Sequence, residues 1–146
     1  MTLTTDSLAT LIRSVLTRQA DTYQRMTQQM GGYRARAAVS ATFTLALERQ
    51  FSELVSPKEV AEFVSDIRSV YPNGHKVDPI LAEGLIRHAL GDDSALQGVD
   101  LTDAPATEMF ISIAVVDHLQ LNEEQLNEFV SEAREFALEE LGEASS

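Results

Sequence analysis

The chain has 146 residues, a length that suits one domain and allows a sizeable core without a metal ion or a disulfide. It contains no cysteine, which excludes disulfides, thiolate metal sites and a cysteine nucleophile and fits a reducing compartment. The sequence shows no signal-peptide pattern and no apolar run of the about 20 residues that cross a membrane. We therefore expect a single domain over residues 1–146 that lies in the cytoplasm and does not contact a membrane.

The net charge of −12 is distributed unevenly along the chain. Residues 1–50 contain six arginines and three acidic residues, whereas residues 51–146 contain five basic and 20 acidic residues. Such an asymmetry indicates either that the two parts pair with each other, within one chain or across a dimer, or that a charged partner binds. Pairing between the two parts is the simpler interpretation.

The first 55 residues have the pattern of a helical hairpin. Apolar residues at helical spacing predict a first helix from Thr5 or Asp6, continuing with a weaker apolar stripe to about Met30. Gly31 and Gly32 should end or bend this helix, because glycine accepts left-handed backbone angles. An alanine-rich second helix should then run over residues 33–55 and pack closely against the first. The sequence thus predicts an antiparallel hairpin over residues 1–55.

Residues 56–141 carry signals for the remaining helices. Ser56 and Glu59 form a predicted capping box with Pro57 at the first helical position, and the dipeptide at Asp78 and Pro79 starts a helix in the same way. The predicted inward-facing residues of these two helices are Val60, Phe63, Val64, Ile67, Val70, Tyr71, Ile80, Leu81, Leu85, Ile86 and Leu90. A last helix should follow Asn122, and residues 142–146 should be a frayed tail.

The most apolar segment of the chain lies in residues 104–119. Its core, residues 109–116, is apolar on all sides, and Asp103 precedes it as a helix cap. A helix without a polar face belongs inside a core, although the β-branched residues leave a strand as the structural alternative. The sequence therefore predicts an all-α fold, a compact bundle of about six helices around a buried central helix at residues 104–119.

Two segments 66 residues apart are similar. Residues 62–68 read Glu-Phe-Val-Ser-Asp-Ile-Arg and residues 128–134 read Glu-Phe-Val-Ser-Glu-Ala-Arg, so that five of seven residues are identical. Both segments follow a helix, a short turn and a capping residue. An internal duplication would give two pseudo-symmetric three-helix halves, and chance reuse of amphipathic helix residues is the alternative.

No pattern in the sequence indicates catalysis. The three histidines, His75, His88 and His118, lack the spacing of a helical metal site, and no serine lies in a nucleophile motif. Adjacent acids such as Asp92 and Asp93 are typical of caps and turns. We therefore predict a protein that is not an enzyme and has no cofactor or metal. A polar pocket that brings Asp93, Ser94 and His88 or His118 together would instead favour chemistry.

One local motif provides an alternative. Residues 90–96, Leu-Gly-Asp-Asp-Ser-Ala-Leu, resemble the Gly-x-Asp-Ser-Leu attachment site of acyl carrier proteins, which are small acidic helical domains. The resemblance covers about a dozen residues and departs from the motif at Ala95, which separates Ser94 from Leu96. It implies a carrier-like domain modified with phosphopantetheine at Ser94.

The predicted function is association with another protein, as an adaptor, regulator or immunity-type inhibitor. The acidic surface and the thin apolar stripe of the first helix favour this interpretation, and the stripe also allows a homodimer through residues 6–55. A nucleic-acid-binding regulator using the basic hairpin is the alternative, although the net charge argues against a polyanionic ligand. The candidate partner-binding residues are Arg18, Arg25, Met26, Gln29, Met30, Arg34 and Arg36.

Overall fold

A computed structural model describes residues 4–51 and 55–143, which form seven α-helices and one short 3₁₀ turn. The helices are α1 (Thr4–Leu16), α2 (Ala20–Met30), α3 (Gly32–Gln50), α4 (Pro57–Val70), α5 (Pro79–Ala89), α6 (Ala104–Leu119) and α7 (Glu123–Leu141), and the 3₁₀ turn is Gly74–Lys76. No strand occurs in this part of the chain. The predicted all-α bundle is confirmed. None of its described helices has the length and hydropathy that a bilayer crossing requires.

Helix α6 has the predicted bounds and lies in the core, where α3, α5 and α1 pack around it. Ile111, Val115 and the neighbouring small residues of α6 are buried. The helix is less enclosed than expected, because Met109, Phe110 and Ile113 are only half-buried. The predicted cap is also wrong in one respect: Asp103 occupies the N-cap position, but its side chain makes no capping hydrogen bond.

The predicted first helix is in fact two helices, α1 and α2. Arg18 adopts a left-handed conformation with φ of 59°, its N–H donates to the Val15 carbonyl, and the Gln19 N–H donates to the Ser14 carbonyl. This pair of bonds is the Schellman pattern that ends helices, usually with glycine at the left-handed position. The apolar stripe of α1 ends at Leu16, so continuing the helix in the same direction would bury little more apolar surface.

Several helix boundaries match the sequence signals, and one does not. The capping boxes of Ser56 with Glu59 and of Asn122 with Gln125 both form, and the Asp78 carboxylate accepts a hydrogen bond from the Ile80 N–H at 2.9 Å. Helix α3, in contrast, ends at Gln50, before the expected residue 55. Phe51 is extended, and the expected helical residues 52–54 lie outside the described part of the chain.

Two residues expected in the core are at the surface. Val70 is 74% exposed and Ile80 is 70% exposed. The buried residues of α4, Val60, Val64 and Ile67, follow a narrower stripe than predicted, and Val70 lies beside it in the last turn. Ile80 lies in the first turn of α5, ahead of the buried Leu81 and Leu85. An amphipathic pattern therefore overestimated the width of both buried faces.

The internal duplication stays a prediction. The two capping boxes lie 66 residues apart, in the register that the repeated segments predict. The same offset places α5 over residues 13–23, which contain the break between α1 and α2. Phe129 is fully buried in α7, whereas its counterpart Phe63 is half-buried in α4.

Most arginines of the first 50 residues form ion pairs with acids of the later part of the same chain. Five of the six arginines in residues 1–50 form ion pairs with acids between residues 108 and 143. The pairs are Arg13 with Glu123, Arg18 with Asp117, Arg34 with Glu143, Arg36 with Glu108 and Arg49 with Glu132. Most are partly exposed, and such pairs contribute about 0–1 kcal/mol each. The Glu143 contact also holds the start of the predicted tail, whose last three residues lie outside the described range.

Candidate functional site

A groove of about 850 Å³ lies alongside α4, between this helix, α6 and the end of α3. We call its main apolar lining the floor, and this consists of Phe51, Phe63, Ile67, Val70 and Tyr71. Its rim carries the carboxylates of Glu59, Glu62, Asp66 and Asp117, and neither lysine nor arginine lines it. We call this feature the acidic groove.

The acidic groove lies on the side of α4 that faces α6 and the end of α3, where the helix backbones do not approach closely. Helix α4 packs mainly against α5 and the 3₁₀ turn, while α3 packs against α6 and α7. The Arg68 Nε donates to the Val77 carbonyl at 2.8 Å, and Gly74 lies against the backbone of Arg68 so closely that a Cβ atom there would be 2.1 Å from its carbonyl oxygen. These contacts hold the C-terminal end of α4 against the following turn and leave its other side open.

Aromatic contacts fix the floor of the acidic groove. The Phe51 and Phe63 rings meet edge to face at 5.1 Å between centroids, which joins the end of α3 to α4. The Tyr71 and Phe110 rings meet in the same way at 5.6 Å, which joins the end of α4 to α6. Edge-to-face pairs contribute about 0.5–1.5 kcal/mol beyond their area burial, so these two contacts stabilise the floor.

One end of the acidic groove is closed by a small polar network. The Tyr71 hydroxyl donates to the Asp117 carboxylate at 3.0 Å, and Arg18 pairs with the same carboxylate. The Arg18 guanidinium also lies 6.0 Å from the centre of the Tyr71 ring, within cation–π range. Burial raises the pKa of Tyr71, and its hydrogen bond to Asp117 raises it further. The left-handed turn at Arg18 thus helps to form this network, because the Arg18 side chain reaches Asp117 on α6.

The other rim carboxylates are more exposed and only weakly engaged. Glu59 participates in the capping box, and Glu62 lies 3.8 Å from Lys58 with both side chains largely in solvent. Asp66 makes no side-chain hydrogen bond or ion pair with any described residue. These three carboxylates are therefore available to a cationic ligand.

A second cleft of about 660 Å³ lies between α3, α5 and α6. Its main polar feature is an ion pair in which both Glu108 oxygens accept hydrogen bonds from Arg36, at 2.7 and 2.9 Å. This hydrogen bonding raises the pKa of Arg36. Burial raises the pKa of the nearby Glu140 carboxyl, and the Glu108 charge adds to this effect while Arg36 opposes it. Glu108 is already satisfied by Arg36, so the cleft contains no free buried carboxylate of its own.

The histidines, Asp93 and Ser94 do not come together in one pocket. The second cleft contains His88 but neither Asp93 nor Ser94, and His118 lines the acidic groove. The Ser94 backbone and hydroxyl both donate to the Asp92 carboxylate, at 3.1 and 2.8 Å. Hydrogen bonds from Arg87 and then from Ser94 lower the pKa of Asp92. The arrangement is a local turn that the Asp92 carboxylate holds together.

The residues predicted to bind a partner are placed in three ways. Arg18, Arg34 and Arg36 form the ion pairs described above, so the hairpin does not present them as a continuous basic surface. Met26 is buried, and Met30 is half-buried against the core. Arg25 and Gln29 are exposed on α2. The sequence did not single out the acidic groove, although the acids and aromatic residues of α4 were visible in it.

Comparison with protein-family models, with curated protein sequences and with solved structures finds no significant match to this chain. Within the described residues, no group of three or more histidine, aspartate or glutamate residues has the arrangement of a metal site. A functional proposal therefore depends on the geometry and charge of the surfaces described above.

Proposed function

We propose that the protein is a non-catalytic interaction protein and that its acidic groove binds a basic amphipathic helix of another protein. The observation that carries this proposal is that the three available carboxylates of Glu59, Glu62 and Asp66 lie beside an apolar floor, in a groove whose lining contains neither lysine nor arginine. An apolar stripe with flanking lysine or arginine residues complements such a surface in both hydrophobicity and charge. We expect the encounter to take place in the cytoplasm, in line with the cysteine-free sequence.

A helix fits the acidic groove better than an extended peptide. Strand addition needs an open sheet edge, and the described residues form no sheet. The floor follows α4 from Phe63 to Tyr71, which corresponds to about two helical turns or roughly 12 Å. A partner helix would contact this floor with residues spaced three or four apart, and the exposed Val70 would be its main apolar contact.

The charges and the floor should contribute differently to binding. The exposed carboxylates should mainly accelerate association, and this effect should weaken as salt is added. Burial of Val70 and of the half-exposed rings should slow dissociation, because apolar contacts dominate the residence time of such complexes. Binding should therefore depend on Val70 even at high ionic strength.

The test uses two synthetic amphipathic helices, one with leucine and lysine and one with leucine and glutamate, and follows binding by fluorescence anisotropy. We expect the lysine helix to bind and the glutamate helix not to bind. Val70→Asn should weaken binding about tenfold, whereas Ile80→Asn should change it less than twofold, because Ile80 is equally exposed but lies outside the groove. Asp66→Asn removes a carboxylate from the rim of the groove, and Asp93→Asn removes one outside it, so that the two variants form a matched pair that tests the rim charge. Equal effects within both pairs would overturn the proposal.

A homodimer through residues 6–55 stays an alternative prediction. One observation favours it: Tyr33 at the start of α3 is 77% exposed. Most of α3, however, is already buried within the monomer. Light scattering at high protein concentration decides the question, because a homodimer gives twice the monomer mass. If the homodimer forms, Tyr33→Ser should lower the measured mass.

A further inference from the structure

A separate pocket of about 280 Å³ lies between α1, the start of α2 and α7. Two arginines line it, Arg13 and Arg134, and no carboxylate does. The remaining polar lining consists of hydroxyl and amide groups, from Thr10, Ser14, Gln19, Thr22, Asn127 and Ser131. The lining is therefore cationic and rich in donors, although the net charge of the protein is −12.

The Arg134 guanidinium forms an ion pair with Glu135 and leaves one buried donor atom unpaired within the described part of the chain. Its Nε is buried and has no hydrogen-bond partner among the described residues, while its Nη2 donates to Glu135 at 3.0 Å. A buried donor that remains unpaired costs about 1–3 kcal/mol, and more when the group is charged. An anion in the pocket would give the Arg134 guanidinium a second anionic partner, and its binding would stabilise the folded state.

The other donors of the pocket converge from different helices. Arg13 is oriented by a hydrogen bond to the Asn127 side chain and lies 3.6 Å from Glu123, an exposed carboxylate that only weakly offsets its charge. Gln19 is the N-cap residue of α2, and its side chain makes no capping hydrogen bond. The first-turn amides of α2 therefore add partial positive charge, which Asp21 in the same turn reduces.

We propose that this pocket binds a tetrahedral oxyanion, namely a phosphate group. A planar carboxylate presents two oxygens in one plane and suits one bidentate arginine, whereas donors that approach from three helices suit an anion with acceptors in several directions. The volume suits a compact anion group. The phosphate can be free or the terminal group of a phosphomonoester, and these two sources share the same recognition chemistry.

The test is an NMR titration of the full-length protein with inorganic phosphate and, separately, with phosphoserine, using chloride at matched ionic strength as the reference. We expect amide shifts confined to α1, the start of α2 and α7. Stronger binding of phosphoserine than of inorganic phosphate would identify a phosphomonoester as the ligand, and the reverse order would identify free phosphate. The absence of localised shifts with both compounds at millimolar concentration would overturn the proposal.

Two exposed glutamines, the N-cap residue Gln19 and Gln24 within α2, provide matched variants that leave the core unchanged. Gln19→Glu places a carboxylate at the pocket and should weaken phosphate binding at least about tenfold. Gln24→Glu adds the same charge on the same helix outside the pocket and should weaken it less than twofold. Equal losses in the two variants would show a general charge effect and would contradict the assigned site. Because the acidic groove lies on α4 and α6, either proposal can fail without the other.

Discussion

Replacing Arg36 with methionine should destabilise the protein through Glu108. The Glu108 side chain is only 7% exposed, and both of its oxygens depend on Arg36 for their hydrogen bonds. Removal of one partner of a buried ion pair costs about 3–5 kcal/mol, because an uncompensated charge is left behind. The Arg36 side chain is 42% exposed, so water partly replaces it, and we expect a loss of about 2–3 kcal/mol. For a chain of this length, that corresponds to roughly 5–10 °C in Tm.

Substitution of the other partner, Glu108, should lower the free energy of unfolding by a smaller amount. In Glu108→Met the remaining charge is the half-exposed guanidinium, which water can solvate, so we expect a loss of about 1 kcal/mol. The double variant removes both charges and should also lie within about 1 kcal/mol of the parent. The double-mutant cycle then gives a coupling energy of about 2–4 kcal/mol.

Urea denaturation followed by circular dichroism measures all four corners of this cycle. Arg25→Met is the control, since Arg25 is exposed and has no ion pair among the described residues, and it should change the free energy of unfolding by less than about 0.5 kcal/mol. Additive effects of the two single substitutions, or a loss in Arg36→Met no larger than in Arg25→Met, would refute the reasoning.

Two further predictions concern a glycine and a titrating carboxyl group. Gly74→Ala should lower the free energy of unfolding by about 1–3 kcal/mol, because its Cβ would meet the Arg68 carbonyl. Gly32→Ala, where the added Cβ meets no other atom, should raise the free energy of unfolding by about 0.5–1 kcal/mol. Urea titrations that rank the two variants in the opposite order would contradict this prediction. Burial raises the pKa of Glu140 above its value in the unfolded chain, so the stability that its neutral form provides is lost as the pH rises through that pKa. Glu140→Gln should therefore melt at a higher temperature than the parent at pH 7, with the difference disappearing near about pH 3.5, and a pH-independent difference would argue against this cause.

The local signals in the sequence predicted the helices well where a cap or a strong periodicity was present. Ser56, Asp78 and Asn122 begin helices because their side chains satisfy free backbone N–H groups of the next turn, an interaction that involves only neighbouring residues. The bounds of α6 followed from an apolar run between polar flanks. The end of α1 had no such signal, because an arginine occupies the left-handed position where glycine is usual.

The candidate sites depended on contacts that the sequence pattern does not contain. The acidic residues and rings of α4 are visible in the sequence, but their meeting with Phe51 and Asp117 requires the positions of α3 and α6. The same holds for Arg13 and Arg134, which lie 121 positions apart and line one pocket.

The sequence by itself determined the helical class, most helix starts, the central apolar helix and the opposite charge of the two parts of the chain. These properties arise from local hydrogen bonding and from composition, which neighbouring residues set. Tertiary structure alone decided which arginine meets which acid, how wide each buried face is and where α4 leaves a groove. The reason is that ion pairs, burial and cavities depend on the relative positions of whole helices, and these positions result from packing across the entire core.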